Sequence, residues 1–270
     1  MQRYLNNMIK TVLIDLSGTL HVDKSAIPGA PEALSKLRAA NIRIKFVTNT
    51  TKESKRLLHE NLTNLGFIIE KEEIFTSLTA ANELIVKKNY NPLYLVANEA
   101  LEDLPKQKPA DKVDAVVIGL APNEFHYEKL NEAFRYLNEG ASLIAIHDGR
   151  YYKRKDGLAL GPGCFVKGLE YSAGVKAQVV GKPNVSFFHS ALLDEKPNEV
   201  VMVGDDIQSD IGGAILAGML GILVQTGKYQ DSDLTKFSDI KPTVIVPSFV
   251  EAVDEIIKMN ATSAICEQQH

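Results

Sequence analysis

The sequence has little of what would place it in several large classes of protein. It contains no tryptophan and two cysteines, Cys164 and Cys266, which lie far apart in the chain. Two distant cysteines favour neither a disulfide framework nor a zinc knuckle, and they fit a reducing compartment. No apolar run approaches the roughly 20 residues that a bilayer crossing needs, and the first residues, MQRYLNNMIK, lack the apolar core of a signal peptide. We therefore expect a cytoplasmic protein with no membrane partner.

An excess of charge of one sign is also lacking. The chain has 30 basic and 34 acidic residues, and its densest basic cluster is Lys153, Arg154 and Lys155. This cluster is too short to follow a nucleic-acid backbone. We expect no nucleic-acid partner, although the same cluster in a cleft could meet one phosphorylated substrate.

The pattern that is present is an alternation of two periodicities. Short runs rich in Val and Ile alternate with stretches of helical period, which is typical of parallel strands joined by crossover helices. The chain of 270 residues, 45% of them hydrophobic, is long enough for two lobes. We predict an α/β fold, with a Rossmann-like, doubly wound parallel sheet core that is interrupted by an inserted α/β domain. The predicted ranges are 1–79 and 179–260 for the core, 80–178 for the insert and 261–270 for a flexible tail.

Local patterns predict individual elements within this frame. The segment PEALSKLRAAN places Ala33, Leu34 and Leu37 on one face of a helix. A later helix, SKRLLHENLTNLG, is expected to end at Gly66, because glycine adopts the positive φ that commonly terminates a helix.

Polar residues follow four of the predicted strands. They are Asp15, the triplet Thr48, Asn49 and Thr50, then Lys182, and finally the pair Asp205 and Asp206. In an open parallel sheet, ligands bind outside the carboxyl ends of the strands. We therefore expect folding to gather Asp15, Lys182 and Asp205 in one pocket.

Three of these positions suit the chemistry of a phosphoryl group. A carboxylate such as Asp15, followed by a Gly18 turn whose amides can face an anion, can attack phosphorus. The hydroxyl and amide groups of Thr48 to Thr50, which precede a helix, can hold the nonbridging oxygens. Lys182 supplies a positive charge, so these residues together predict a phosphate site.

The acidic residues suit a metal ion. Asp205 beside Asp15 would complete a set of oxygen ligands for Mg²⁺, which would let a carboxylate approach an anionic phosphate. Asp210 could brace Lys182 or a metal-bound water.

Each residue taken singly also has an ordinary structural interpretation. Asp15 could be a solvated or capping residue, and Thr48 and Asn49 could cap a helix. Lys182 by itself would be a surface lysine. Asp206 is expected to be structural, because only one of two adjacent carboxylates at a strand end points to a given site.

The four segments DLSGT, VTNT, GKP and GDDIQSD, in this order, resemble the four motifs of the haloacid dehalogenase superfamily. An insert between the second and third motifs resembles the C2-capped branch, and the similarity runs from about Lys10 to Lys258. The resemblance implies a Rossmann-like core with a mobile C2-type cap, a small phosphorylated substrate and an aspartyl-phosphate intermediate. It also implies Mg²⁺ held by Asp15, the Ser17 carbonyl and Asp205.

Ser17 departs from the pattern of most phosphatases in this superfamily. They have a second Asp at this position, which serves as the general acid and then as the base. A serine hydroxyl cannot deliver a proton near neutral pH, and general acid–base catalysis is worth about 10²- to 10⁴-fold in rate. We therefore expect substrates with good leaving groups, such as phenolic, acyl-phosphate, phosphoramidate or pyrophosphate linkages. The segment DLSGT also resembles the start of the phospholysine phosphohistidine inorganic pyrophosphate phosphatases.

Two alternatives to this expectation stay open at the level of sequence. Another acid, such as Asp156 or the substrate itself, could supply the proton, or the chain could be a weak relative that binds Mg²⁺ and phosphate in a regulatory or scaffolding role. A dehalogenase is disfavoured, because an enzyme that attacks carbon has no use for Mg²⁺ beside its nucleophile. A nucleotide-binding module is disfavoured because no GxGxxG or P-loop follows the first strand. A homodimer through an exposed strand edge is also left open.

Overall fold

The computed structural model describes residues 8–109, 112–154 and 157–267, which form two compact units. The first unit takes the chain up to Thr48, then His59–Phe75, and the chain from Lys182 onward. The second unit takes Asn49–Leu58 and Thr76–Gly181.

Short strands and the helices that connect them make up both units. In chain order the strands are β1 (Thr11–Ile14), β2 (His21–Val22), β3 (Ser25–Ala26), β4 (Arg43–Thr48), β5 (Ile74–Thr76), β6 (Pro92–Leu95), β7 (Ala115–Ile118), β8 (Ser142–Ala145), β9 (Tyr151–Arg154), β10 (Gly157–Leu160), β11 (Gln178–Val179), β12 (Val200–Gly204), β13 (Leu220–Val224) and β14 (Val244–Val246). The helices are α1 (Ala30–Ala39), α2 (Lys55–Asn64), α3 (Ser77–Lys88), α4 (Tyr127–Asn138), α5 (Gly163–Ala173), α6 (Val185–Ser190), α7 (Gly213–Leu216), α8 (Asp231–Lys236) and α9 (Phe249–Glu267).

The first unit is built on a sheet that has, within the described residues, six strands in the order β14-β13-β12-β1-β4-β5. The central strand β1 pairs in parallel with β12 and β4, and β13 pairs in parallel with β12 and β14. Ile14 at the end of β1 aligns with Val203 on β12 and with Phe46 on β4. The predicted α/β class with a parallel-sheet core is therefore confirmed, and these three strands end at one edge of the sheet.

The second unit has its own parallel sheet, which in the described part of the chain has the order β11-β8-β7-β6. Its buried residues include Val116, Ile118 and Leu143 on the strands, and Leu137 and Val166 on the helices α4 and α5. Strands β9 and β10 form a separate antiparallel hairpin. Each unit thus has a hydrophobic core of its own.

The second unit also includes Asn49–Leu58, which the predicted domain division assigns to the core. Hydrogen bonds account for this difference. The Thr51 hydroxyl accepts a hydrogen bond from the Leu120 amide at 3.1 Å, and the Asp103 carboxylate accepts one from the Lys55 amide at 2.6 Å. Local periodicity cannot reveal these contacts, because the partners lie 69 and 48 residues apart in the chain.

Several predicted helix features can be compared with the structure. Ala33, Leu34 and Leu37 are buried on one face of α1, and Gly66 has φ of 91° just after α2, so both predictions are confirmed. The flexible tail predicted for residues 261–270 stays a prediction; in the described residues, α9 continues to Glu267. Ser263 is buried there, and its hydroxyl donates to the Met259 carbonyl.

The pattern of the segment IQSDIGGAILAG predicts one regular helix, but the segment forms a π-helical turn at Ile207–Gly212 and then α7. Gly213 at the junction is closely packed, because an added Cβ would lie 2.5 Å from the Phe188 ring and 2.8 Å from the Pro183 carbonyl oxygen. Wide turns of this kind occur frequently at functional sites.

Among the described residues, none of the helices combines the length and the apolar composition that crossing a membrane would require.

Candidate active site

Two carboxylates lie at the same edge of the parallel sheet in the first unit. Asp15 directly follows β1 and Asp205 directly follows β12, and the Asp15 amide donates to the Val203 carbonyl at 2.9 Å. Their exposed fractions are 7% and 1%. Buried carboxylates are costly unless they are paired with cations or hydrogen-bonded, so this edge of the sheet requires positive charge.

Lys182 provides one such charge. Its Nζ donates to Asp15 Oδ1 and to Asp210 Oδ1, both at 2.6 Å, and to the Val47 carbonyl at 3.0 Å. Burial by itself would lower the pKa of Lys182, but the negative charges of Asp15 and Asp210 raise it above its ordinary value. The interpretation of Lys182 as a surface lysine is wrong, since its side chain is 3% exposed and charged.

The carboxylate of Asp205 has fewer favourable contacts than that of Asp15. Its Oδ2 accepts a hydrogen bond from the Lys228 amide at 2.6 Å, whereas its Oδ1 is buried without a hydrogen-bond partner among the described residues. Burial raises the pKa of Asp205 to about 8, and the negative charges of Asp15 and Asp210 act in the same direction. Ionisation of Asp205 is therefore unfavourable unless a cation binds next to its carboxylate.

A divalent cation fits this set of groups. Asp15, Asp205 and Asp210 each offer a carboxylate oxygen, and the three oxygens lie within 4.8 Å of one another. Hard cations such as Mg²⁺ prefer oxygen ligands, and the buried Asp205 Oδ1 is an acceptor that such an ion would satisfy. The Ser17 carbonyl stays a predicted ligand; the structure shows Ser17 in an isolated bridge with His21 and with an exposed side chain.

Asp210 and Asp206 make hydrogen bonds that hold Lys182 and the π-helical turn in place. Asp210 Oδ1 accepts from Lys182, and its Oδ2 accepts from the Asp206 amide at 3.1 Å. Burial raises the pKa of Asp210 to about 7, although the positive charge of Lys182 opposes the change. The Asp206 carboxylate caps the π-helical turn by accepting from the amides of Gln208 and Ser209, which is the structural role that the sequence indicates.

Two glycines allow the backbone to approach the Asp205 carboxylate closely. Gly18 and Gly227 have φ of 97° and 59°, and a Cβ on either would lie 2.1 or 2.2 Å from Asp205 Oδ2. The Thr226 hydroxyl donates to the Gly18 carbonyl, which joins the two segments. Thr226, Gly227 and Lys228 were not among the residues predicted from the sequence. The available signal was the Thr-Gly-Lys triplet, which lies one residue beyond the apolar run of β13.

The predicted phosphate-binding triplet is divided between the two units. Thr48 is the last residue of β4, is 3% exposed and belongs to the first unit with Asp15. Asn49 and Thr50 belong to the second unit and are partly buried. Next to them, the Thr51 hydroxyl also lies 3.4 Å from His147 Nε2. The phosphate-binding role of the triplet stays a prediction.

Two other sequence predictions concern the hairpin of β9 and β10. Asp156, the candidate substitute acid, lies outside the described residues, as does Lys155 of the basic cluster. The interpretation of that cluster as a polyanion site therefore stays a prediction.

The sequence matches two known protein families, one in its N-terminal part and one in its C-terminal part. Residues 12–108 match the family of haloacid dehalogenase-like hydrolases, and residues 179–252 match a HAD-hydrolase-like family. The chain is 56% identical to haloacid dehalogenase-like hydrolase domain-containing protein 2 from Rattus norvegicus, over 93% of this chain and 97% of that protein. It is 37% identical to phospholysine phosphohistidine inorganic pyrophosphate phosphatase from Xenopus laevis, over 93% of this chain and 96% of that protein.

Solved structures show the same fold. A 4-nitrophenylphosphatase from Thermotoga maritima superposes with a TM-score of 0.84 at 25% identity, covering 94% of this chain and 99% of that one. A glycerol phosphate phosphatase from Mycobacterium tuberculosis in complex with magnesium has a TM-score of 0.80 at 26% identity, covering 94% and 78% of the two chains. With the family matches and the extended sequence identity, these likenesses confirm the predicted resemblance. The chain belongs to the haloacid dehalogenase-like hydrolases.

Proposed function

We propose that the chain is a Mg²⁺-dependent phosphohydrolase that acts through an aspartyl-phosphate intermediate on Asp15. Its phosphatase relatives support the phosphohydrolase activity. The observation that carries the finer proposal is the pairing of Asp15 with Lys182 at 2.6 Å beside the uncompensated, buried Asp205 Oδ1. That arrangement combines a nucleophile, a cation for an anionic substrate and an incomplete ligand set.

The proposed mechanism uses Asp15, Lys182 and Asp205 of the first unit. Lys182 holds Asp15 Oδ1, which leaves Oδ2, with a long contact of 3.5 Å from the Thr19 hydroxyl, as the freer oxygen of the carboxylate. Asp15 attacks phosphorus, and the ammonium of Lys182 stabilises the negative charge that collects on the transferring group. Asp15 and Asp205 would hold the ion together with the Ser17 carbonyl. When bound, Mg²⁺ offsets the repulsion between carboxylate and phosphate.

The proposed substrates are small phosphorylated molecules with good leaving groups. Ser17 cannot act as a general acid near neutral pH, so a leaving group of low basicity must depart without protonation by this residue. The names of two relatives agree with this class, since one is a 4-nitrophenylphosphatase and the other an inorganic pyrophosphate phosphatase. A cytoplasmic location and a homodimer stay predictions.

A series of leaving groups tests this proposal. Turnover of p-nitrophenyl phosphate, pyrophosphate, phosphohistidine and a sugar phosphate would be measured with and without Mg²⁺. We expect the sugar phosphate to be the poorest substrate and chelation of the metal to abolish turnover. We expect Asp15→Asn to reduce kcat by about 10⁴-fold or more, as the loss of a nucleophile does elsewhere. Full activity of that variant would contradict the covalent mechanism.

Ser17→Asp, a substitution that restores the usual acid, refines the test. We expect it to raise kcat/KM for the sugar phosphate more than for p-nitrophenyl phosphate. An equal rate on all four substrates in the wild-type protein would remove the argument from the leaving group. A wild-type protein that binds Mg²⁺ and beryllofluoride but turns over none of them would instead support the regulatory alternative.

A further inference from the structure

The segment after β13 contributes a lysine whose main chain and side chain have separate surroundings. The Lys228 amide donates to Asp205 Oδ2 at 2.6 Å, and Gly227 lets the main chain pass directly against that carboxylate. The Lys228 side chain leaves this contact, and 64% of it is exposed. Any substitution except proline keeps the amide, so the two parts of the residue can be tested apart.

The ammonium of Lys228 is weakly engaged within the described residues. Its Nζ lies 3.7 Å from Asp206 Oδ2, which is beyond hydrogen-bonding distance. The other oxygen of this carboxylate, Asp206 Oδ1, accepts hydrogen bonds from two amides of the π-helical turn. An exposed ion pair of this kind contributes little to stability, so the fold does not require the charge of Lys228.

The carboxylate cluster nevertheless acts on this lysine. Burial by itself would lower the pKa of Lys228, but the charges of Asp206, Asp15, Asp205 and Asp210 raise it. The side chain is thus a cation within electrostatic range of the nucleophile.

The formal charges around Lys228 indicate which negative charge its ammonium would balance. The carboxylates that act on Lys228 are those of Asp15, Asp205, Asp206 and Asp210, with four formal negative charges. Lys182 is bonded to two of them, and Lys182 with a divalent ion would still leave one negative charge without Lys228. A phosphate monoester brings its negative charge on the group that is transferred to Asp15. A phosphoanhydride brings further negative charge on its leaving group, which needs a cation of its own.

We infer that Lys228 determines specificity by binding the anionic leaving group of a phosphoanhydride, the simplest of which is inorganic pyrophosphate. This inference rests on the proposed function of the same site. In the step concerned, an Asp15 oxygen bonds to one phosphorus, the bridging P–O bond breaks, and orthophosphate departs with the electron pair. Water then cleaves the aspartyl phosphate, which gives a second orthophosphate, restores Asp15 and releases the proton to solvent. Stabilisation of the departing charge by Lys228 makes an acid at Ser17 unnecessary.

The experiment compares the full-length wild type with Lys228→Gln, Lys228→Arg and the control Lys236→Gln. Lys236 is an exposed lysine of α8 whose ammonium lies 5.0 Å from the Phe237 ring centre. The measured quantity is the ratio of kcat/KM for pyrophosphate to kcat/KM for p-nitrophenyl phosphate, whose leaving group carries no charge in the substrate. We expect Lys228→Gln to lower this ratio about tenfold or more, and the arginine variant and the control to stay within about threefold of wild type.

A binding measurement keeps the inference testable without turnover. The dissociation constants of imidodiphosphate, a pyrophosphate analogue with a P–N–P bridge, and of orthophosphate would be measured by calorimetry in the presence of Mg²⁺. We expect wild type to prefer imidodiphosphate and Lys228→Gln to lose most of that preference. The inference is overturned if Lys228→Gln keeps the wild-type preference, or if it weakens both ligands equally, because Lys228 would then act through Asp205. A wild type that binds imidodiphosphate but hydrolyses nothing contradicts the proposed function and leaves the assignment of Lys228 standing.

Discussion

The two units differ in the groups that lie just beyond the carboxyl ends of their parallel strands. In the first unit, the residues beyond β1 and β12 are the carboxylates Asp15 and Asp205, which lie with the ammonium of Lys182. In the second unit, the Leu120 amide beyond β7 donates to the Thr51 hydroxyl, and His147 beyond β8 contacts the same hydroxyl. The same kind of sheet edge therefore holds a charged cluster in one unit and uncharged hydrogen-bonding groups in the other.

The difference shows that unfavourable electrostatic interactions are concentrated at the strand ends of the first unit. Buried carboxylates repel one another and resist desolvation, which is why the pKa values of Asp205 and Asp210 are raised to about 8 and about 7. In the second unit, the corresponding contacts join a hydroxyl, an amide and an imidazole, and no carboxylate takes part in them. Residues that conflict with stability are expected at functional sites, so the comparison supports the proposed active site in the first unit. Parallel α/β architecture by itself does not indicate where a site lies.

The largest expected effect on stability comes from removing the ammonium of Lys182, which lies between the carboxylates of the first unit. Lys182→Met should lower the free energy of unfolding by about 3–5 kcal/mol in the absence of Mg²⁺, because Asp15 and Asp210 would lose their counter-charge in a buried position. Urea denaturation at neutral pH measures this loss. In the second unit, His147→Gln keeps a donor near Thr51 and should cost less than about 1 kcal/mol. Equal losses in the two variants would remove the electrostatic contrast between the units.

An intermediate effect is expected at a carboxylate far from the charged edge. Glu195 accepts hydrogen bonds from the Thr11 hydroxyl and the Leu193 amide. Burial by itself would raise the pKa of Glu195, but these hydrogen bonds and the contact with Arg43 lower it from 4.5 to about 2. Glu195→Gln should therefore cost about 1.5–3 kcal/mol of unfolding free energy at pH 7.

The pH dependence of that loss follows from the sign of the shift. A carboxyl with a lowered pKa stabilises the folded state above its unfolded pKa, and it loses this contribution as protons bind. The difference between wild type and Glu195→Gln should be constant above about pH 5 and shrink as the pH falls from 4.5 towards 2. Glu170 in the second unit is the matched control. Its pKa is lowered by the Ala177 amide and by an exposed Lys167, so Glu170→Gln should show a smaller loss of the same sign. A loss that grows on acidification would contradict the assignment.

The smallest expected effect is a change in KM when the Thr51 hydroxyl of the second unit is removed. Thr51→Val removes the acceptor of the Leu120 amide just after Asn49 and Thr50, the predicted phosphate ligands. We expect KM for p-nitrophenyl phosphate to rise about tenfold, equivalent to about 1.4 kcal/mol, with a smaller change in kcat, because Asp15 and Lys182 are untouched. Thr51→Ser keeps the hydroxyl and should behave as wild type. An unchanged KM in the valine variant would mean that this contact does not position the loop.

The positions of the candidate residues could be predicted because a strand end is a local property of the sequence. Asp15 and Asp205 each follow a run of buried apolar residues, Thr48 follows the buried pair Phe46 and Val47, and parallel pairing then brings such ends to one edge. The contributions of Gly227 and Lys228 were missed, because their turn has ordinary composition and its importance depends on the carboxylate that it contacts. The π-helical turn that carries Asp210 was likewise read as a regular helix.

The sequence alone determined the α/β class, the order of the motifs and the residue types at the strand ends, because periodicity and turn chemistry act over a few neighbouring residues. The tertiary structure alone decided that Lys182 is buried against two carboxylates, that Asp205 Oδ1 lacks a partner among the described residues, and that Asn49–Leu58 belongs to the second unit. These properties are set by charge, desolvation and hydrogen bonding between segments that are distant in the chain. They come into existence only when the sheets form.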